Sequence, residues 1–258
     1  MSDIADSSNM VPRSDYRERI PLAALDRHVT CVWTQRIGPG TAPMVHRIVP
    51  DGCVDIIWLD GRLHVAGPDT GPVLAPLGPG TLVVGVRFRP GLAPTMLGLP
   101  AAELVDDRVD LDLLWGRAAG RLAERLSDAA GPGAAMRVLE AELVERLPRA
   151  APVDPLAEGV VAELRAGPGA PVVAKLAATL GTSERQLHRR CLDAFGYGPK
   201  TLDRVLRFQR FLSMARSAAP LGPGGLARLA ADAGYADQAH LTRECRSLGG
   251  LPPRRLLG

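Results

Sequence analysis

The sequence predicts an α+β protein. A small N-terminal β-barrel with accompanying helices is followed by an all-α region of two helix-turn-helix units joined by a long helix. Three observations carry this. Residues 28–90 are rich in Val, Ile and Trp and are broken at short intervals by Gly/Pro turns. From residue 91 onward, apolar residues recur at helical spacing instead. Two segments of the C-terminal region repeat one another, offset by 53 residues before a glycine turn and by 54 after it.

Composition bounds the function. The chain has 258 residues, 46% hydrophobic and 23% charged, an ordinary globular balance with room for two domains. No apolar run reaches transmembrane length, and the polar first twenty residues lack the apolar core of a secretory signal, so a cytoplasmic protein is expected. Cys31, Cys53, Cys191 and Cys245 lie far apart with no C-x-x-C pair, which argues against a cysteine-rich zinc module and for free thiols.

In chain order, residues 1–15 read as a polar, flexible tail. Strands are expected at 28–37, 45–49, 53–59, 63–66 and 81–88. They are separated by Gly38-Pro39-Gly40, Pro50-Asp51-Gly52, Asp60-Gly61 and Gly78-Pro79-Gly80. Short strands at this spacing suit a small barrel or sandwich. Helices follow at 94–99, 101–105, 111–126 and 136–147. The last repeats Met136, Leu139, Leu143 and Leu147, which suits packing on the barrel or a dimer contact. A β-rich sensing or dimerisation domain is thus expected over 16–150, a linker over 151–155 and a helical domain over 156–258. Within that domain helices are expected at 156–165, 172–180, 183–194, 201–217, 225–233, 237–248 and 253–257, with a Gly/Pro-rich loop over 218–225.

Charge is uneven. Residues 1–153 hold 16 Lys+Arg against 19 Asp+Glu, whereas residues 154–258 hold 15 against 9. A basic C-terminal part beside a mildly acidic remainder points toward a polyanion, although solvated basic faces are common.

The repeat is the sharpest signal. Leu176-Ala177-Ala178-Thr179-Leu180-Gly181 matches Leu229-Ala230-Ala231-Asp232-Ala233-Gly234, and each continues into a second helix ending near Cys191 or Cys245. Glycine permits the tight reversal at positive φ, and Ser183 and Asp237 are good N-caps. That is the layout of a helix-turn-helix. At 100° per residue, Leu241, Cys245 and Leu248 form a core stripe. Ala239, Arg243 and Arg246 point away from it, with His240 and Thr242 on the flanks. In the first copy Leu187, Cys191 and Ala194 face inward, and Arg185 and Arg189 face outward beside His188. Such a face suits a major groove, where Arg bridges guanine O6/N7, Gln pairs with adenine and Thr touches a thymine methyl. A solvated basic face is the plainer alternative.

With those residues in view, 156–257 resembles the DNA-binding domain of AraC-type transcriptional regulators. The most specific motif is Gly234-Tyr235-Ala236-Asp237-Gln238-Ala239-His240-Leu241-Thr242-Arg243-Glu244-Cys245, followed by Gly250-Leu251-Pro252-Pro253. The family normally has Phe where this chain has Cys191 and Cys245. The resemblance implies that Arg185, His188 and Arg189 read one groove segment. Gln238, Ala239, His240, Thr242 and Arg243 read another. It also implies double-stranded DNA as partner, a possible small-molecule effector and homodimer, RNA polymerase if the protein activates, and no membrane or cofactor.

The segment around Arg47-Ile48-Val49-Pro50-Asp51-Gly52-Cys53-Val54-Asp55-Ile56-Ile57-Trp58 resembles a less studied sensor-like domain found before such DNA-binding domains in bacterial regulators. A cupin-like barrel is the implied fold, although no paired-His cupin motif occurs. Trp33, Asp55, Trp58 and Arg87 are the effector-binding candidates. Asp55 facing inward would suit a ligand or an ion pair with Arg87 or Arg89, and facing outward it would be a surface carboxylate. The two tryptophans suit either a pocket floor or core packing. His28, His46 and His64, 18 residues apart, would form a metal set only if they shared one lumen, and no metal is assigned.

Two other classes remain. DNA-repair methyltransferases carry AraC-like domains with a Cys₄ zinc site, but residues 1–153 have only Cys31 and Cys53. No G-x-S-x-G, H-E-x-x-H or phosphate loop is present, so no catalytic residue is named and no enzyme is expected. A protein-interaction module is the other alternative, and salt dependence would separate it from a DNA reader.

Overall fold

Alternation of apolar and polar residues builds the N-terminal half. The computed structural model describes residues 14–167, 172–217 and 224–257, so most of the tail at 1–15 and most of the loop at 218–225 lie outside it. Eight strands are seen: β1 (Ser14–Arg19), β2 (Val29–Ile37), β3 (Met44–Ile48), β4 (Asp55–Leu59), β5 (Arg62–Ala66), β6 (Val73–Leu77), β7 (Leu82–Phe88) and β8 (Arg108–Asp110). Six form one sheet in the order β1-β2-β7-β4-β5-β8, with every pairing antiparallel. The other two, β3 and β6, pair only with each other. The β-rich domain is therefore two facing sheets that do not close into one ladder, an open form of the expected barrel.

Each strand of the large sheet sorts its residues by parity, because successive side chains point to opposite faces. Val32, Ile56, Val65, Val84 and Val86 are buried on the helix-covered face. There α1 (Ala93–Leu97), α2 (Asp112–Trp115), α3 (Arg117–Ser127) and α4 (Pro132–Arg146) complete the core. The stripe of Leu139 and Leu143 on α4 packs on the sheet. Beside that stripe α4 carries Glu140, fully buried, which accepts from Arg19 and from the Leu22 N–H and ties the β1 end to the helix. Residues of the other parity, among them Trp33, Ile37, Ile57 and Val83, face β3 and β6.

Among the described residues the elements of the C-terminal half are all helices: α5 (Pro155–Ala166), α6 (Val173–Thr179), α7 (Glu184–Phe195), α8 (Pro199–Ser217), α9 (Gly225–Asp232), α10 (Gln238–Gly249) and α11 (Pro253–Leu256). Gly181 and Gly234 take φ of 62° and 89° at the two turns, the left-handed conformation that glycine adopts without a Cβ penalty. Leu187 and Cys191 are buried on α7, and Leu241, Cys245 and Leu248 on α10, as the helical phase predicts. Burial pushes both thiols up to about 12, so they remain protonated apolar fillers. The α8 helix braces the second unit through an Arg204–Glu244 fork at 2.9 and 3.0 Å.

The two halves are in contact. Gln209 Nε2 of α8 donates to the Pro50 carbonyl at 2.6 Å, and Arg47 Nη1 donates to the Gly249 carbonyl at 3.1 Å. Val49 packs against the helical core. The Phe195 ring lies over Gly91, and Gly196 is wedged between Val105, Pro68 and the Ala101 carbonyl.

Candidate nucleic-acid interface and ligand cavity

Local caps fix the two second helices. On α7 a full capping box is present. Ser183 Oγ accepts from the Gln186 N–H at 3.3 Å, and Gln186 Oε1 accepts from the Ser183 N–H at 3.4 Å. On α10 the Asp237 carboxylate accepts from the His240 N–H at 2.6 Å. Each cap satisfies a backbone donor that the first turn leaves without an intrahelical partner. The first unit is held to α5 by the Asp154–Arg190 ion pair, which also uses Asp154 as the N-cap of α5. Burial disfavours the Asp154 carboxylate, but Arg190 and the Leu156 N–H outweigh it and hold its pKa below the usual range.

Both outer faces are free. Arg185, His188 and Arg189 are exposed on α7, and Gln238, Ala239 and Arg243 on α10, with His240 and Thr242 half-buried. Among the described residues Arg185, Arg189 and Arg243 have no ion-pair partner. Three neighbours are partly engaged. The His188 ring lies over Gly198, His240 packs edge-on against Tyr235 at 5.3 Å, and Thr242 Oγ1 donates to the Gln238 carbonyl at 2.8 Å. Thr242 therefore offers mainly its methyl group. Arg246, one turn beyond Arg243, is exposed as well.

The second feature is a cavity of about 500 Å³ between the two sheets. Asp55 faces into it and is nearly buried. It accepts from Trp33 Nε1 at 3.1 Å, from Arg87 Nε at 3.1 Å and from Arg87 Nη2 at 3.0 Å. Burial lifts its pKa to about 6 against the pull of Arg87. The Trp33 indole lies against Gly85, where a Cβ would come within 2.3 Å of the ring. Three of the four effector candidates thus form one hydrogen-bonded cluster. Trp58 does not join them. Three residues along β4 from Asp55, it points to the other face and packs among the helices, so the two tryptophans floor no common pocket. Nor do the three histidines converge. His46 lines the cavity with its Nδ1 3.4 Å from Gln35 Nε2, His64 contacts Asp110 at 2.8 Å, and His28 sits at the start of β2. Among the described residues no cluster of His, Cys, Asp or Glu is arranged to hold a metal.

Sequence reasoning missed several lining residues. Gln35 is signalled by β2 alternation, two positions after Trp33. Glu18 on β1 and Gln209 and Arg216 on α8 carry no such signal, because they arrive through tertiary contact.

Comparison with known proteins agrees with this geometry. Residues 176–258 match a family described as a helix-turn-helix domain. The chain ends in an AraC-type helix-turn-helix domain. Residues 17–110, which include both sheets except the first residues of β1, match a domain of unknown function (DUF6597). No curated protein gives a significant match. Among solved structures, ToxT from Vibrio cholerae O395 is 10% identical over 83% of this chain and 96% of its own, with a TM-score of 0.46. Wild-type ToxT from strain SCE256 with bound unsaturated fatty acid is 10% identical over 98% of this chain and 97% of its own, with a TM-score of 0.44. Likenesses this slight carry no functional argument. The AraC-type domain, by contrast, is of a DNA-binding kind, and its two capped helices are where its free side chains stand. No helix among the described residues is long and apolar enough to cross a membrane.

Proposed function

We propose that the chain is a sequence-specific transcriptional regulator that reads double-stranded DNA with α7 and α10 and acts by binding rather than by catalysis. One observation carries this reading: two capped helices of a duplicated motif each bury one face and turn an Arg-bearing face to solvent. Arg185, His188 and Arg189 face one major-groove segment. Gln238, Ala239, His240, Thr242 and Arg243 face the next. The 19 residues of α8 span about 28 Å at 1.5 Å per residue, the scale needed to set two helices about one DNA turn, roughly 34 Å, apart.

The N-terminal domain, in this reading, binds a small-molecule effector through Trp33, Asp55 and Arg87. The cavity is bounded by Gln209 and Arg216 of α8, so an occupant touches the helix that spaces the two readers. Its effect on DNA binding then equals its difference in affinity between the two domain arrangements. RNA polymerase and a second copy of the chain are the macromolecular partners such a regulator would meet at a promoter in the cytoplasm.

Fluorescence anisotropy of the full chain against its own upstream DNA and a scrambled duplex, across a salt series, tests the reading. Tighter binding to the upstream duplex is expected, with log K falling steeply against log salt as phosphate contacts release counterions. No binding to any duplex at low salt would overturn it in favour of a protein-interaction module.

A further inference from the structure

The cavity between the sheets has an internal charge balance that selects among possible occupants. The β4 and β7 strands run along its wall. Asp55 pairs with Arg87 across β4 and β7 at one end, and Leu59 pairs with Val83 at the other. Four residues of strand separate these ends, about 13 Å at 3.3 Å per residue. The far end is mainly apolar, lined by Ile57, Leu59, Leu77 and Val83, with Gln35 opposite Val83 as a polar group. The near end carries two bidentate ion pairs. Arg87 grips Asp55, and Arg108 Nη1 and Nη2 reach Asp69 Oδ1 and Oδ2 at 2.9 and 2.8 Å.

Both carboxylates are deeply buried, with side chains 10% and 7% exposed. The rest of the charged lining is also even. Glu18 and Asp51 stand on one side of the count and Arg47 and Arg216 on the other. Burial lowers the pKa of His46, which leaves that ring neutral.

At the near end an anionic group would have to draw a guanidinium from its buried carboxylate, and a cationic one would have to draw a carboxylate from its guanidinium. Either exchange leaves a buried charge without its partner, the arrangement that buried ion pairs tolerate least. An uncharged or zwitterionic molecule leaves both forks intact. Arg87 Nη1, which has no protein partner among the described residues, remains available to a hydrogen-bond acceptor.

We propose that this cavity takes a net-neutral amphipathic small molecule. Its apolar body lies against Ile57, Leu59, Leu77 and Val83, and its hydrogen-bonding end meets the Asp55–Arg87 and Asp69–Arg108 pairs. The proposal rests on the effector reading above and names the chemical class that reading leaves open.

Two fluorescent probes with one skeleton test it on the full chain: uncharged N-phenyl-1-naphthylamine and its sulfonated counterpart 8-anilino-1-naphthalenesulfonate. The neutral probe is expected to bind at least about tenfold more tightly. Ala75→Trp, which fills the cavity from β6, is expected to abolish that binding. Asp69→Asn leaves the lining with one excess positive charge and is expected to shrink the ratio toward one. Should Ala75→Trp fail to fold, Asp69→Asn carries the test alone. A sulfonate that binds as tightly as the neutral probe, and is lost in Ala75→Trp, would overturn the net-neutral proposal while leaving the cavity as a binding site. Failure of both probes to bind, or binding that neither variant changes, would overturn the proposal and the effector reading together.

Discussion

Asp55 shows what one side chain's environment sets. A carboxylate in water needs no partner, but at its buried position Asp55 depends on Arg87 and Trp33. Replacing Arg87 by Met removes the fork and leaves the acid buried. A loss of about 3–5 kcal/mol is expected in urea unfolding at neutral pH. The pH dependence has a definite sign. Burial raises the folded pKa of Asp55 to about 6, above its ordinary 3.8. The folded state therefore holds this proton more tightly, and the contribution of Asp55 to stability rises as pH falls from about 6 toward 4. The Tm of the native protein should accordingly gain on that of Asp55→Asn between pH 7 and pH 4.5, and a constant gap would refute the assignment. At the DNA face, Arg243→Ala should weaken binding to the best site by about 1–3 kcal/mol if Arg243 reads a base. Unchanged anisotropy would remove it from the reading face. The arginines of both faces were legible from helical phase alone, since a helix needs only its own sequence to assign inside and outside. The sense in which Asp55 points was not, because β4 alternation admits either face until a second sheet covers one of them.

At the scale of elements, caps and periodicity were legible and edge strands were not. Ser183 and Asp237 stand at their helix starts, and the turn glycines have positive φ. Ser183→Ala removes half of a capping box and should lower stability by about 1 kcal/mol, measured as a shift in the denaturation midpoint. Three strands escaped the sequence. The β1 segment, Ser-Asp-Tyr-Arg-Glu-Arg, has no apolar alternation, because it is an edge strand with charged residues on display, a common device against edge-to-edge pairing. The β6 segment contains Pro76, which reads as a strand breaker. It is tolerated because each strand of a two-stranded sheet keeps one open edge. The β8 segment, three residues long, is below what periodicity can resolve.

At the scale of the molecule, what the sequence leaves hidden is the junction. Gln209 meets the Pro50 carbonyl across 159 positions and Arg47 meets Gly249 across 202, contacts that no local pattern encodes. The tightness of that junction can be separated from helix energetics by two glycines with similar backbones. Gly181 and Gly196 both have positive φ, 62° and 81°, so an added Cβ strains each. Around Gly181 nothing lies within 4 Å, whereas a Cβ on Gly196 would stand 2.6 Å from Val105, 2.8 Å from Pro68 and 3.0 Å from the Ala101 carbonyl. Both alanine variants should therefore pay the left-handed penalty, but only Gly196→Ala should also force the halves apart. Its loss of stability should exceed that of Gly181→Ala by about 1–3 kcal/mol, the usual cost of overpacking. Because Gly196 lies at the C-terminal end of α7, away from Arg185 and Arg189, Gly196→Ala should still bind DNA at temperatures below its lowered Tm. Equal losses in the two variants would mean that the junction yields without resistance. The path from the cavity through Gln209 to α8 would then lack the stiffness to report an occupant to the DNA-reading helices.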